Sequence, residues 1–194
     1  MNKIIAEKLE KDGLSIFPNF LPPEDWLKIR EDLDILHQMG GFRHAGVGQG
    51  SRHDILDVVR RDHIYWLDQD HTNEVQSLLY SKLNSLKLEL NRSLYLGINN
   101  FEGHYAVYPE GGFYKRHLDC FQQNNDRIVS LILYLNKNWQ PSDGGKLRIY
   151  GPKNKIEIEP AGGTLVCFMS RESEHEVLLS HSPRFSFCGW FKIK

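Results

Sequence analysis

The sequence lacks the features that would place it outside an ordinary globular class. Three cysteines in 194 residues (Cys120, Cys167 and Cys188) are too few and too scattered for a disulfide framework. The net charge of −1 supplies no basic field for nucleic acid or an anionic membrane. The N-terminal region has no long apolar run, so we expect no signal peptide and no membrane span, with a cytoplasmic setting as the default.

What the sequence does have is two halves of different pattern. Apolar residues at helical spacing predict helices over 3–10, from Pro22 to Gly40, and over 73–96, with short strands at 14–17 and 58–66. From Phe101 onward, apolar residues recur at every second position, as in β-strands. Turn-forming residues separate eight predicted strands near 103–108, 112–119, 127–135, 146–150, 155–159, 163–168, 174–179 and 184–193. We therefore expect an α+β fold with a mainly β core and supporting N-terminal helices, in a single domain 1–194.

A glycine-rich segment at 45–51 interrupts the first half. It is not a phosphate loop, because no Gly-Lys-Ser/Thr follows it and no strand–loop–helix frame surrounds it. Two interpretations stay open, a surface loop without further role and a mobile loop that contacts a substrate.

His117-Leu118-Asp119 is the first indication of chemistry. Residues two apart on a strand point to the same face, so this imidazole and carboxylate aim at one point. His175 begins another predicted strand, and two histidines with one carboxylate form the facial triad that leaves open positions on Fe(II). A zinc hydrolase uses similar ligands, and a strand histidine hydrogen-bonded to a carboxylate is the purely structural alternative.

Arg184 strengthens the metal hypothesis. It begins the last predicted strand, which we expect to neighbour the His175 strand, and Ser186 follows on the same face. A guanidinium fork beside a hydroxyl suits bidentate capture of a carboxylate. An organic diacid whose other end chelates iron would fit between these groups.

At this point the sequence resembles a known family, the Fe(II)/2-oxoglutarate-dependent prolyl 4-hydroxylases, and within it the hypoxia-inducible-factor prolyl hydroxylases and their bacterial relatives. The resemblance rests on blocks in matching order at 108–119, 134–139, 144–149, 175–177 and 184–191, and more weakly on 60–66. It implies a double-stranded β-helix of the jelly-roll or cupin type. It also implies a division into helical support over 1–98, including a finger loop at about 43–66, and a dioxygenase core over 99–194.

The resemblance also implies the ligands and cosubstrates of the site. Fe(II) would be held by His117, Asp119 and His175, with 2-oxoglutarate and O2 as cosubstrates and ascorbate as a reductant. The distal carboxylate of 2-oxoglutarate would be held by Arg184 with help from Tyr134, and Tyr108 would lie close to the cosubstrate.

The same resemblance implies a protein substrate with a loop proline, hydroxylated at C4. Residues implied at the substrate mouth or at the substrate loop are Tyr114, Trp190, Arg127, Arg60 and Asp62. In bacterial relatives the resemblance suggests elongation factor Tu. The turn between Tyr108 and His117 is one residue shorter than in the animal enzymes, and the segment 120–126 is particular to this chain, so its peptide specificity is expected to differ from theirs.

Other functions stay open from the sequence. One is a 2-oxoglutarate oxygenase acting on another side chain or a small molecule, and another is a non-catalytic module that binds metal or 2-oxoglutarate. A nucleic-acid demethylase is disfavoured, because Trp190 stands where that branch has a second arginine and because the chain is near neutral.

Overall fold

The computed structural model describes residues 1–46, 56–120, 126–151 and 154–194. Three helices support two β-sheets. The helices are α1 (Asn2–Asp12), α2 (Pro23–Gln38) and α3 (Glu74–Leu94). The strands are β1 (Leu14–Phe17), β2 (Arg43–His44), β3 (His63–Trp66), β4 (Asn100–Tyr108), β5 (Tyr114–His117), β6 (Arg127–Tyr134), β7 (Leu147–Tyr150), β8 (Lys155–Ile158), β9 (Leu165–Met169), β10 (His175–Val177) and β11 (Arg184–Lys192).

Local sequence explains where the helices begin and end. The side chain of Asn73 accepts a hydrogen bond from the Gln76 amide and caps the start of α3. Pro22 and Pro23 open α2, where Glu24 and Asp25 lie in the first turn against the positive end of the helix dipole. Gly13 ends α1 at a φ of 66°. The helices predicted from the sequence are therefore confirmed.

Two antiparallel sheets form the β core. The larger has the order β1-β9-β6-β11-β4-β3-β2, and the smaller has the order β5-β10-β7-β8. The chain alternates between the two sheets in its second half, as expected of a double-stranded β-helix. This confirms the predicted mainly β fold with supporting helices.

Strand alternation gives the larger sheet two different faces. One face packs against the helices, and its buried residues include Phe101, Tyr105, Leu133, Phe187 and Phe191, in contact with the leucines of α3. The opposite face turns toward the smaller sheet and includes Ala106, Ile132, Tyr134, Val166 and Phe168. Arg184, Tyr108 and Tyr134 belong to this second face.

Two details of the predicted topology are wrong. The strand expected over 58–66 begins only at His63, because residues 57–59 form a turn in which the amides of Val59 and Arg60 both donate to the Leu56 carbonyl. The last strand also does not neighbour the His175 strand. β11 pairs with β4 and β6 in the larger sheet, whereas β10 lies in the smaller sheet, because the chain crosses between sheets after β10.

Two further expectations concern the glycine-rich segment and a membrane span. The glycine-rich segment lies mostly at 47–51, outside those residues, and its role stays a prediction. Among the described residues, no helix is both long enough and apolar enough to cross a lipid bilayer.

Candidate active site

Two histidines and one aspartate converge at the open end of the smaller sheet. His117 ends β5 and lies directly opposite His175, the first residue of β10. Asp119 follows two residues after His117, and its two oxygens lie 3.6 Å from His117 Nε2 and 3.7 Å from His175 Nε2. Within the described part of the chain these three form a group whose ligand atoms all lie within 4.8 Å of one another. The sequence prediction that these residues meet is confirmed.

Hydrogen bonds fix which nitrogen of each histidine faces the centre. His117 Nδ1 lies 2.7 Å from the Lys115 carbonyl oxygen, and His175 Nδ1 lies 3.0 Å from that of Ser173. A carbonyl oxygen can only accept, so each Nδ1 carries a proton, and in a neutral imidazole the lone pair is then on Nε2, the nitrogen that faces Asp119. Outer hydrogen bonds of this kind orient metal-binding histidines.

The carboxylate is held ionised. Burial acts to raise the pKa of Asp119, but neighbouring His175 and His117, together with a hydrogen bond from Ser130, outweigh it and hold the pKa well below its usual range. Burial lowers the pKa of His175, which favours the neutral imidazole that a metal needs. Two neutral imidazoles and one carboxylate are the donor set of a non-haem Fe(II) site.

Arg184 faces this group from the larger sheet. Its side chain is 1% exposed, and its Nε donates to the Gly145 carbonyl across 2.9 Å. Nη1 lies 3.5 Å from the Ser186 hydroxyl, and the guanidinium carbon lies 5.0 Å from the ring centre of Tyr108 and 5.1 Å from that of Tyr134.

One nitrogen of this arginine and the hydroxyl of a neighbouring tyrosine have no hydrogen-bond partner among the described residues. Within the described residues, Arg184 Nη2 and Tyr134 Oη are buried without a hydrogen-bond acceptor or donor. A buried unpartnered donor costs about 1–3 kcal/mol, more when charged, so such atoms are expected to meet a ligand. A carboxylate satisfies a guanidinium and a phenol together, and the residues therefore fit the distal end of a dicarboxylic acid.

A cavity of about 490 Å³ connects the triad, Arg184 and the protein surface. On one side Tyr114 stacks on His117 with ring centres 3.6 Å apart. On the other side the Arg127 guanidinium lies 3.6 Å over the Trp190 ring, and Glu102 holds Arg127 by an ion pair of 2.7 Å. The lining of the cavity thus contains aromatic surface next to the triad and the ion pair of Arg127 with Glu102.

Arg60, which is partly buried, and Asp62, which is buried, form a second ion pair at the cavity wall. Arg60 Nε and Nη2 donate to the two oxygens of Asp62 across 2.7 and 2.6 Å. The same guanidinium lies 4.2 Å over the Tyr114 ring and donates to the Gly46 carbonyl. Arg60 therefore ties the chain entering and leaving the glycine-rich segment to the aromatic wall.

Comparison with known proteins agrees with this geometry. The family model of the 2OG-Fe(II) oxygenase superfamily matches residues 103–192. A solved prolyl-4-hydroxylase from Pseudomonas putida is 34% identical, with a TM-score of 0.92 and all of both chains covered. The chain belongs to the prolyl hydroxylase family of 2OG-Fe(II) oxygenases. Members of this family use Fe(II), 2-oxoglutarate and O2, and the donor set and unpartnered atoms described above fit those groups.

Two other members extend the prolyl hydroxylase likeness. Egl nine homolog 1 from Homo sapiens is 31% identical over 196 residues, which cover 96% of this chain and 45% of that protein. A prolyl hydroxylase from Trichoplax adhaerens, solved with a hypoxia-inducible-factor peptide fragment, is 29% identical with a TM-score of 0.89, covering 98% of this chain and 88% of that one. The chain spans about half the length of the human relative. The likeness also reaches over the helical half, further than the sequence motifs indicated.

The predicted site residues fall into two groups by position. Those that line the cavity are His117, Asp119, His175, Arg184, Tyr108, Tyr114, Trp190, Arg127 and Arg60. The other two contact lining residues: Tyr134 lies beside Arg184, and Asp62 is the ion-pair partner of Arg60. All eleven are therefore brought together around one site, while their individual roles stay predictions.

Sequence reasoning missed several residues of this prolyl hydroxylase site. Ser130 donates to Asp119 Oδ2 across 2.6 Å, and Glu102 holds Arg127. His104 lies buried in the cavity wall between Trp66 and Trp190, with ring centres 4.7 and 5.4 Å away. Alternation along β4 and β6 places these residues on the same face as Tyr108 and Tyr134, so a known register would have found them.

Proposed function

We propose that this chain is an Fe(II)- and 2-oxoglutarate-dependent dioxygenase that hydroxylates a prolyl residue at C4 in a protein substrate. The observation that carries the proposal is the pairing of His117, Asp119 and His175 with a buried arginine across one cavity. Arg184 retains a guanidinium nitrogen without a partner among the described residues. A hydrolytic zinc site does not require a buried arginine with an unpartnered guanidinium nitrogen.

The proposed role of each side chain follows from its contacts. His117, Asp119 and His175 would hold Fe(II), which with 2-oxoglutarate and O2 supplies the oxidising chemistry. Arg184 would bind the distal carboxylate of 2-oxoglutarate with Tyr134, and Gly145 would keep its guanidinium aimed by accepting from Nε. Tyr108, the cross-strand partner of Arg184, would pack beside the cosubstrate.

The substrate-binding roles follow from the cavity mouth. Tyr114 and Trp190 both line the cavity and would contact a proline ring, which packs well on aromatic surface. Arg127 would bind a peptide carbonyl near Trp190, and the Arg60–Asp62 pair would hold the finger loop against the peptide. Asp119, His175 and Arg184 are buried, which would limit the access of water to the reacting centre.

The proposed substrate is a loop proline of elongation factor Tu, as the resemblance to bacterial family members implies. The peptide bound to the Trichoplax relative supports a protein substrate in general. We further propose that ascorbate serves as a reductant and that the chain acts in the cytoplasm, since its three cysteines are free in the structure.

The first test is an anaerobic titration of 2-oxoglutarate into Fe(II)-loaded protein, followed by the visible charge-transfer band of the chelate. The wild-type protein should give a saturable band, Asp119→Ala should give none, and Arg184→Ala should need more 2-oxoglutarate. Arg92→Ala, an exposed arginine on α3 paired with Glu89, is the matched control. A well-folded, iron-loaded protein without a band would contradict the proposed function.

The second test addresses the substrate. Incubation of the iron-loaded protein with elongation factor Tu, 2-oxoglutarate and O2 should add one oxygen atom to a single prolyl residue, detected by mass spectrometry of peptides. Asp119→Ala should add none. Succinate release with free proline or small acids, but none with elongation factor Tu, would instead favour a small-molecule oxygenase.

A further inference from the structure

A pair of histidines lies outside the active site at the stem of the finger loop. His44 on β2 and His63 on β3 face each other directly in the strand register, and their ring centres lie 4.0 Å apart. Their Nε2 atoms are separated by 3.1 Å. Both rings reach the surface, His44 more than His63.

The separation of the two nitrogens matches that of two ligands on one metal ion. Imidazole nitrogens bind Zn²⁺ at about 2.0–2.1 Å. Two such bonds at a right angle place the nitrogens about 2.9 Å apart, and at the tetrahedral angle about 3.3 Å apart. The observed 3.1 Å lies between these values. We propose that His44 and His63 form a second metal site, which binds Zn²⁺ with solvent completing its coordination.

The protonation state of His63 suits this role. Burial and the neighbouring His44 lower the pKa of His63, so its imidazole is neutral near physiological pH. Asp57 and Asp62 act in the opposite direction and favour positive charge at this position. A neutral imidazole near acidic groups favours a bound cation over a proton. The competing interpretation is a single N–H···N hydrogen bond between the two rings.

The position of the pair gives the metal a structural consequence. β2 and β3 pair over only two residues, Arg43 with Ile64 and His44 with His63. Two residues beyond His44, Gly46 lines the active-site cavity and accepts from Arg60. An ion bridging the two strands would therefore clip the stem from which the finger loop leaves the sheet. The inference does not depend on the reaction proposed above.

Zinc stoichiometry tests the proposal directly. In equilibrium dialysis the full chain should bind two equivalents of Zn²⁺, one at the triad and one at the stem. His44→Ala and His63→Gln should each bind one. The double variant Asp119→Ala/His175→Ala should also bind one, which is the stem ion. His71→Ala, an exposed histidine paired with Asp68, should keep two and is the matched control.

Each outcome decides the question. An Asp119→Ala/His175→Ala chain that binds no Zn²⁺, or a His44→Ala chain that binds as many equivalents as the wild type, would overturn the site. A second readout is hydrogen exchange of the stem in the Asp119→Ala/His175→Ala background. Zn²⁺ should slow exchange at 43–44 and 63–64, and adding His44→Ala should abolish this slowing. Exchange unchanged by Zn²⁺ in that background would likewise contradict a clip between the strands.

Discussion

The hydroxyl of Ser130 donates to Asp119 Oδ2 across 2.6 Å and lies 2.9 Å from the hydroxyl of Ser170. This chain of two hydroxyls joins the carboxylate of the triad to strand β6 and to the turn after β9. It orients the oxygen that lies 3.7 Å from His175 Nε2. The carboxylate is thus set in place before any metal arrives.

Ser130→Ala should therefore weaken iron binding without unfolding the protein. Loss of an outer hydrogen bond to a metal ligand costs about 10–100-fold in metal affinity, and we expect a rise of this size in the Kd for Fe(II). Anaerobic titration with Fe(II) measures it. Ser85→Ala, which removes an exposed hydroxyl bonded within α3, is the control. Equal affinities in the two variants would exclude the positioning role.

Arg184→Lys should raise the KM for 2-oxoglutarate by about 10–100-fold, because an ammonium cannot donate to Gly145 and grip a carboxylate as a planar fork does. Steady-state kinetics with 2-oxoglutarate as the varied substrate measures this. The KM for the protein substrate should change far less. A variant with wild-type KM for 2-oxoglutarate would remove Arg184 from the cosubstrate site.

Glu102→Gln should act on the opposite end of the cavity. The carboxylate holds Arg127 over Trp190, so its loss should raise the KM for the protein substrate several-fold and leave that for 2-oxoglutarate unchanged. Lys192→Met is the matched control, because it removes the other partner of Glu102 and leaves the pair with Arg127 intact. If Glu102→Gln and Lys192→Met raised the KM for the protein substrate equally, the position of Arg127 over Trp190 would not explain the increase.

The buried His104 predicts an acid-sensitive stability. Burial, with the positive charges of Arg60 and Arg127, lowers the pKa of His104 to about 3. Between about pH 6.5 and that value the unfolded chain binds a proton that the folded chain refuses, so the free energy of unfolding falls as the pH falls. One such group contributes a slope of at most about 1.4 kcal/mol per pH unit.

Urea unfolding between about pH 4 and pH 6.5 tests this assignment. His104→Leu should flatten the decline. His71→Ala is the contrasting control, because its partner Asp68 raises the pKa of His71 and that residue contributes in the opposite sense. An equally steep decline in His104→Leu and wild type would place the acid sensitivity elsewhere.

The sequence allowed much of this site to be predicted because its chemistry is local. The two-residue spacing of His117 and Asp119 predicted that they meet, although β5 ends at His117 and Asp119 lies in the bend that follows. Arg184 and Ser186 do share one face of β11. The sequence did not reveal which strands pair with each other in the two sheets. The expected neighbourhood of β10 and β11 was wrong because adjacency along the chain does not decide sheet membership when the chain crosses between two sheets. For the same reason, Ser130 and Glu102 were recognised only once the register was known.

The alternation along β11 constrains how this protein can change its length. Even-numbered residues from Arg184 to Trp190 turn toward the cavity, while Phe185, Phe187 and Phe191 anchor the helices on the other side. One inserted or deleted residue within this strand would exchange the two faces for all residues on one side of the change, which would turn either the guanidinium toward the helices or phenyl rings toward the cavity. The residues proposed to hold the cosubstrate and those that anchor the helical layer therefore depend on the same strand register, and we expect length changes to be tolerated only in the connections between strands.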